Sequence, residues 1–170
     1  TGVGGFGGEG GSATLLRPPR EERIVDEGEV VAYLLGAFED VEMFTAMGYR
    51  FFFVGPDRMM PFATLAAGDN EHDRVSDLDR PGVYRLNVGV GRATYEALFG
   101  PPPPPGEGPA GIVDTGHDFA ALDALMPHPV YAPQSWLCVL SPSAATWERV
   151  KPLLAEAHER AARRARGREG

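Results

Sequence analysis

The residues best equipped for chemistry fall in two stretches. At 84–88 (YRLNV) strand alternation puts Tyr84, Leu86 and Val88 on one face and Arg85, Asn87 and the following Gly89 on the other. At 126–136 (MPHPVYAPQSW) Pro127, Pro129 and Pro133 fix an extended approach to a strand, so His128, Tyr131, Gln134 and Trp136 are held with little conformational entropy left to lose. A cation, two amides, an imidazole and two aromatic rings suit a small planar or anionic ligand. Arg85 would anchor an anion or carbonyl, and Trp136 or Tyr131 would supply a stacking wall. The competing reading is that these groups only tie the proline segment to the sheet, with His128 a satisfied partner.

Reactive constellations are weaker. No serine lies in G-x-S-x-G, and Cys138, the single cysteine, alternates with Trp136 and Leu140 as a small buried hydrophobe would. The histidines at 72, 117, 128 and 158 lack zinc spacing. The acidic run Asp69, Glu71, His72, Asp73, Asp77, Asp79 offers hard oxygen ligands, but Arg74 stands where a calcium loop needs glycine and Arg80 where it needs glutamate, so it reads as a solvated loop. No metal and no cofactor is expected. Gly89 and Gly91 open a helix after a strand, where amide groups could hold an anion, yet Thr94 and the proline run beyond break the dinucleotide pattern. An enzyme rival would use His128 as general base oriented by Asp57 or Asp79.

Charge narrows the partners. The chain of 170 residues carries a net charge of -8, but residues 24–159 hold 20 acids against 8 bases, a net of -12, whereas 160–168 holds five arginines and no acid. Such a body repels phosphate backbones, so nucleic acid is not expected as a partner, and the basic tail reads as a solvated helix end favourable to the dipole. No run of apolar residues reaches membrane-spanning length, and the opening TGVGGFGGEGGS is no signal peptide. With one cysteine, the reading is a cytoplasmic protein with a small molecule or protein as partner, no membrane, and an oligomeric state left open.

The elements that must position these residues follow from periodicity. Glycine and proline, 22 and 16 in number, concentrate at 1–20 and 100–116, marking a loose N-terminal extension (1–24), a flexible loop (100–116) and, with 167–170 as a disordered end, one domain over 25–166. Asp26 and Glu29 form a capping-box signal for a helix near 27–38. Short β-prone runs at 41–46, 49–54, 61–66 and 84–88 favour an antiparallel meander, because their short connections cannot make parallel crossovers. Helix 92–99 ends at Gly100 and five prolines; 119–126 reads as a short helix, 136–140 as a strand, and the chain closes with a helix from about 143 that Pro152 should kink or restart. The order α-ββββ-α-α-β-α gives an α+β single domain: an antiparallel sheet of about five strands with helices packed on one face. Arg85 and Asn87 would then line the opposite, open face.

The phrases FFFVGPDRMMPFATL, SDLDRPGVYRLNVGV with TYEALFG, and LDALMPHPVYAPQSWLCVLSPS followed by VKPLLAEAHERAARR resemble the DUF6194 family of bacterial proteins over about residues 25–166. In layout alone, the proline-rich lead into a strand and long last helix is similar to YjbR/MmcQ-like α+β proteins, some with a double-wing fold that would suit nucleic acid. The first resemblance implies the domain limits and carries no assigned activity, substrate or catalytic residue. The expectation is a non-catalytic small-molecule or protein-binding module using the open sheet face, with hydrolase-type and nucleic-acid-associated proteins as its rivals.

Overall fold

In the computed structural model, which describes residues 22–56 and 58–168, helix α1 (Glu27–Ala37) begins where the capping box closes. The Asp26 carboxylate accepts from the Glu29 amide at 2.9 Å and the Glu29 carboxylate accepts from the Asp26 amide at 2.9 Å. Strands β1 (Val41–Ala46) and β2 (Tyr49–Val54) follow as a hairpin. Its two-residue turn, Met47 and Gly48, has φ of 53° and 79°, the paired left-handed geometry whose twist matches that of the strands it joins.

Strands β3 (Ala63–Ala66) and β4 (Arg85–Gly89), helix α2 (Arg92–Phe99), strand β5 (Met126–Pro127), a 3-10 turn at Ala132–Gln134, strand β6 (Trp136–Leu140) and helix α3 (Ala144–Arg168) complete the α+β domain. The sheet is antiparallel throughout in the order β1-β2-β3-β4-β6-β5. Its α1/α3 face carries Phe52, Ala63, Leu65, Leu86, Val88, Leu137 and Val139, which with Val30 and Leu34 of α1 and Val150, Leu154 and Ala157 of α3 form the core. Fully burying each large apolar side chain contributes about 1.5–3 kcal/mol.

Two expectations need correction. The sheet has six strands rather than about five, and the segment 119–126 is not a helix. Asp118 turns the chain by accepting from the amides of Ala120 and Ala121, and Asp123 takes a left-handed φ of 57°. The Asp123 amide then donates to Leu140 O and its carboxylate accepts from the Ser143 amide, so tertiary bonds outweigh local helix propensity and Met126–Pro127 pairs with β6 instead. Helix α3 runs through Pro152 without interruption. The expected disorder of residues 1–24 and 167–170 falls largely on positions outside the described residues.

Candidate functional site

Arg85 projects from β4 on the face away from α3, and it is buried, with 1% of its surface exposed. A buried guanidinium must be paired. Here the acidic loop supplies the partner: Nη2 donates to Asp73 Oδ2 at 2.6 Å and Nη1 to Asp73 Oδ1 at 3.2 Å, while Nη1 also donates to Ser76 Oγ and Nε to Asn87 Oδ1, both at 2.9 Å. Asn87 passes its own amide hydrogen to Thr64 Oγ1 on the neighbouring strand. The Tyr49 hydroxyl donates to Asp73 Oδ2 and accepts from Asn70. Burial alone would push the Asp73 carboxyl up, but the hydrogen bond and charge of Arg85, helped by Tyr49, hold it below the ordinary carboxylate range. Burial and the Asp73 carboxylate push the Tyr49 phenol up.

The expectation that Arg85 and Asn87 line an open face is therefore overturned. The loop from Gly68 to Arg80, expected to be solvated, folds over this part of the sheet. The anion that Arg85 was expected to anchor is the chain's own Asp73.

His128 lies beside this network. Its amide donates to Trp136 O at 3.0 Å, continuing the β5–β6 pairing, and its Nδ1 accepts from the amides of Val130 and Tyr131 at 3.0 and 2.9 Å. Two donors aimed at Nδ1 require a lone pair there, so the imidazole is neutral with its proton on Nε2. Burial, reinforced by the Arg85 charge and opposed by Asp73, holds the His128 pKa well below its usual value. No carboxylate among the described residues hydrogen-bonds His128: the Asp79 carboxylate accepts from the Asp69 amide, and Asp57 lies outside the described residues. A ring whose Nδ1 is committed and whose Nε2 is protonated is not arranged as a general base.

Of the six residues singled out from the sequence, Arg85, Asn87 and His128 come together and are buried. Tyr131 packs its ring on His128, centroids 5.0 Å apart at 35°, while 56% of its surface stays exposed. Trp136 lays its indole over Gly89, so closely that a Cβ at Gly89 would sit 2.8 Å from two ring carbons. Gln134 points outward on the 3-10 turn and joins none of them.

The open part of this face lies elsewhere. Toward β1 and β2 the face carries exposed Phe44, partly buried Tyr49 and Phe51, and buried Phe53, with Phe51 and Phe53 stacked at 6.3 Å and Phe51 tilted against Tyr49 at 6.1 Å. A groove of about 260 Å³ is lined by Phe44, Ala46, Met47, Phe51, Phe53 and Arg58. The Arg58 guanidinium stands 5.3 Å over the Phe44 ring and 3.4 Å from Glu42. Phe44 is 46% and Met47 83% exposed.

A family model described as "Family of unknown function (DUF6194)" matches residues 25–170. The chain belongs to the DUF6194 family. No curated protein and no solved structure matches it, so the layout likeness to YjbR/MmcQ-like proteins gains no support.

Other anion and metal positions in this DUF6194 chain are filled from within. The Gly91 amide at the start of α2 donates to Glu156 Oε2 at 3.0 Å and the Thr94 hydroxyl donates to the same carboxylate. Asp69 Oδ1 accepts from the Leu78 amide. Among the described residues, no three His, Cys, Asp or Glu side chains gather as a metal site, and no helix is long and apolar enough to cross a membrane. Burial pushes the Cys138 thiol up to about 12. The sequence places 49–54 as a strand of the meander but gives no face to Phe51 and Phe53, so the aromatic groove was missed. The available signal was Arg58 with Met47, Met59 and Met60 around it, an excess of flexible apolar residues in turns.

Proposed function

We propose that this DUF6194 protein is a non-catalytic binding module whose partner is an apolar, acidic segment of another protein, taken up by the aromatic part of the sheet face. The observation that carries the reading is the Phe44–Phe51–Phe53 groove with Arg58 over its rim. Its volume is below the roughly 300–1,000 Å³ of pockets that enclose a drug-sized ligand, so it fits one or two side chains of a peptide better than a whole metabolite. The aromatic walls supply contact area at low entropic cost, and Arg58 favours a carboxylate nearby. In this reading Arg85, Asn87 and His128 form the rigid frame beneath the loop that bonds Tyr49 next to Phe51, and Tyr131 is the member of the expected set with a ring to offer at the surface.

Selection from a phage-displayed random peptide library tests this. Enriched peptides should pair aromatic or aliphatic residues with an acid, and both Phe44→Ala and Arg58→Ala should weaken their binding about tenfold, about 1.4 kcal/mol. Peptides whose affinity ignores both substitutions, or a library that yields no binder, would overturn the reading.

A further inference from the structure

We infer that two copies of this chain associate edge to edge through β1, antiparallel about a two-fold axis at Met43, to form one continuous sheet. The inference goes beyond the binding role and stands on a separate observation, the free edge of the sheet.

In the hairpin the closing pair is Ala46 and Tyr49, so the pairs Ala46–Tyr49, Phe44–Phe51 and Glu42–Phe53 exchange hydrogen bonds, and the Gly55 amide continues the series by donating to Asp40 O. Val41, Met43 and Thr45 must therefore turn their N–H and C=O groups outward. Among the described residues nothing pairs with them. Soluble proteins blunt such edges with proline, lysine, bulges or a covering element. In Val41–Ala46 this edge has no proline, lysine or bulge, and no cover among the described residues; its one charge, Glu42, is paired with Arg58, and it exposes Met43 and Phe44 at 39% and 46%.

The sequence of the strand selects a second copy as occupant. A two-fold axis perpendicular to the sheet keeps each face on its own side, so facing residues must share parity. Centred on Met43, the hydrogen-bonded pairs are Val41 with Thr45 of the second copy, Met43 with Met43, and Thr45 with Val41, which uses every outward group. Glu42 then faces Phe44 of the second copy, beside the Arg58 that stands 5.3 Å over that ring. Each Glu42–Arg58 pair thus meets its inverse, and no like charges sit directly opposite. Centring on Glu42 would oppose two carboxylates, and centring on Phe44 would leave Val41 unpaired.

The test is sedimentation velocity on the full chain across micromolar to submillimolar concentrations. A monomer–dimer equilibrium is expected. Met43→Pro removes an outward N–H without touching the β1–β2 bonds and should raise the dimer dissociation constant at least about tenfold. Glu42→Arg and Arg58→Glu should each weaken the dimer, and an equimolar mixture of the two single variants should restore it, since opposite charges then meet only between chains. A chain that stays monomeric throughout, or a dimer indifferent to all these changes, would overturn the inference. Peptide capture by the groove in a monomeric chain would sink the dimer and leave the binding role standing; a β1 dimer with no peptide binder would do the reverse.

Discussion

Arg85 and Asp73 meet as a two-point ion pair, 2.6 and 3.2 Å, between the middle of the sheet and an acidic loop that also buries Ser76 and Leu78. The Arg85 side chain is 2% exposed and that of Asp73 20%, so one partner is sealed and the other reaches the rim. This pair converts the 68–80 segment from a solvated loop into a cover for the sheet.

Removing the cation should therefore cost more than a surface pair would. Arg85→Ala leaves the Asp73 carboxylate, Asn87 and Ser76 without their shared donor, and a loss of about 3–5 kcal/mol is expected in urea unfolding. A loss under about 1 kcal/mol would mean that the loop does not depend on the pair.

Stability should fall on acidification in two stages. His128 is held below its ordinary pKa, so beneath about pH 6.5 the unfolded chain takes up a proton that the folded chain refuses, and stability declines by up to about 1.4 kcal/mol per pH unit until the folded pKa is reached. Asp73 is held below the ordinary carboxylate range; its contribution is present above about pH 4 and is lost as pH falls through its folded pKa. His128→Asn keeps an acceptor where Nδ1 stands but cannot titrate. Comparing urea curves near pH 7.5 and pH 5.5 should show a shallower decline in this variant than in the native chain, and equal declines would remove His128 as the cause.

How much of this could be read in the sequence depended on whether the cause was local. Strands 41–46, 49–54 and 136–140 and helix 92–99 match the structure because turns, caps and alternation set them within a few residues. The failure at 119–126 has a distant cause, the bonds from Asp123 to Leu140 and Ser143. The site followed the same division. Alternation put Arg85 and Asn87 on one face, and the prolines brought His128 to that face, but nothing local reveals that Asp73, in a run of acids, is the one that turns inward. A buried ion pair and an open binding arginine look the same until the loop is folded.

The contact between Gly89 and Trp136 makes a sharper local claim. The indole occupies the space a Cβ would need, within 2.8 Å, and Gly89 requires no left-handed backbone. Gly89→Ala should thus destabilise by overpacking, about 1–3 kcal/mol, and shift the tryptophan emission as the ring moves. Adding Trp136→Leu should recover most of that loss. Additive losses in the double variant would place the strain elsewhere.

Cys138 offers a probe of how firmly the covered half of the sheet stays closed. It is fully buried on β6 next to Asn87, its thiol 3.7 Å from Pro127 O and its pKa pushed up to about 12 by burial. Both access and thiolate formation are suppressed, so a disulfide reagent near neutral pH should label the native chain only through opening of β5 and its loop. As the chain has one cysteine, the readout is a single thiol that reacts at once in strong denaturant and slowly without it. Arg85→Ala should speed the native reaction by loosening the cover, whereas Phe44→Ala, in the open groove, should leave it unchanged. Rapid labelling of the native chain would show that this half of the face is open after all, and that the pairing of Arg85 with Asp73 does not close it.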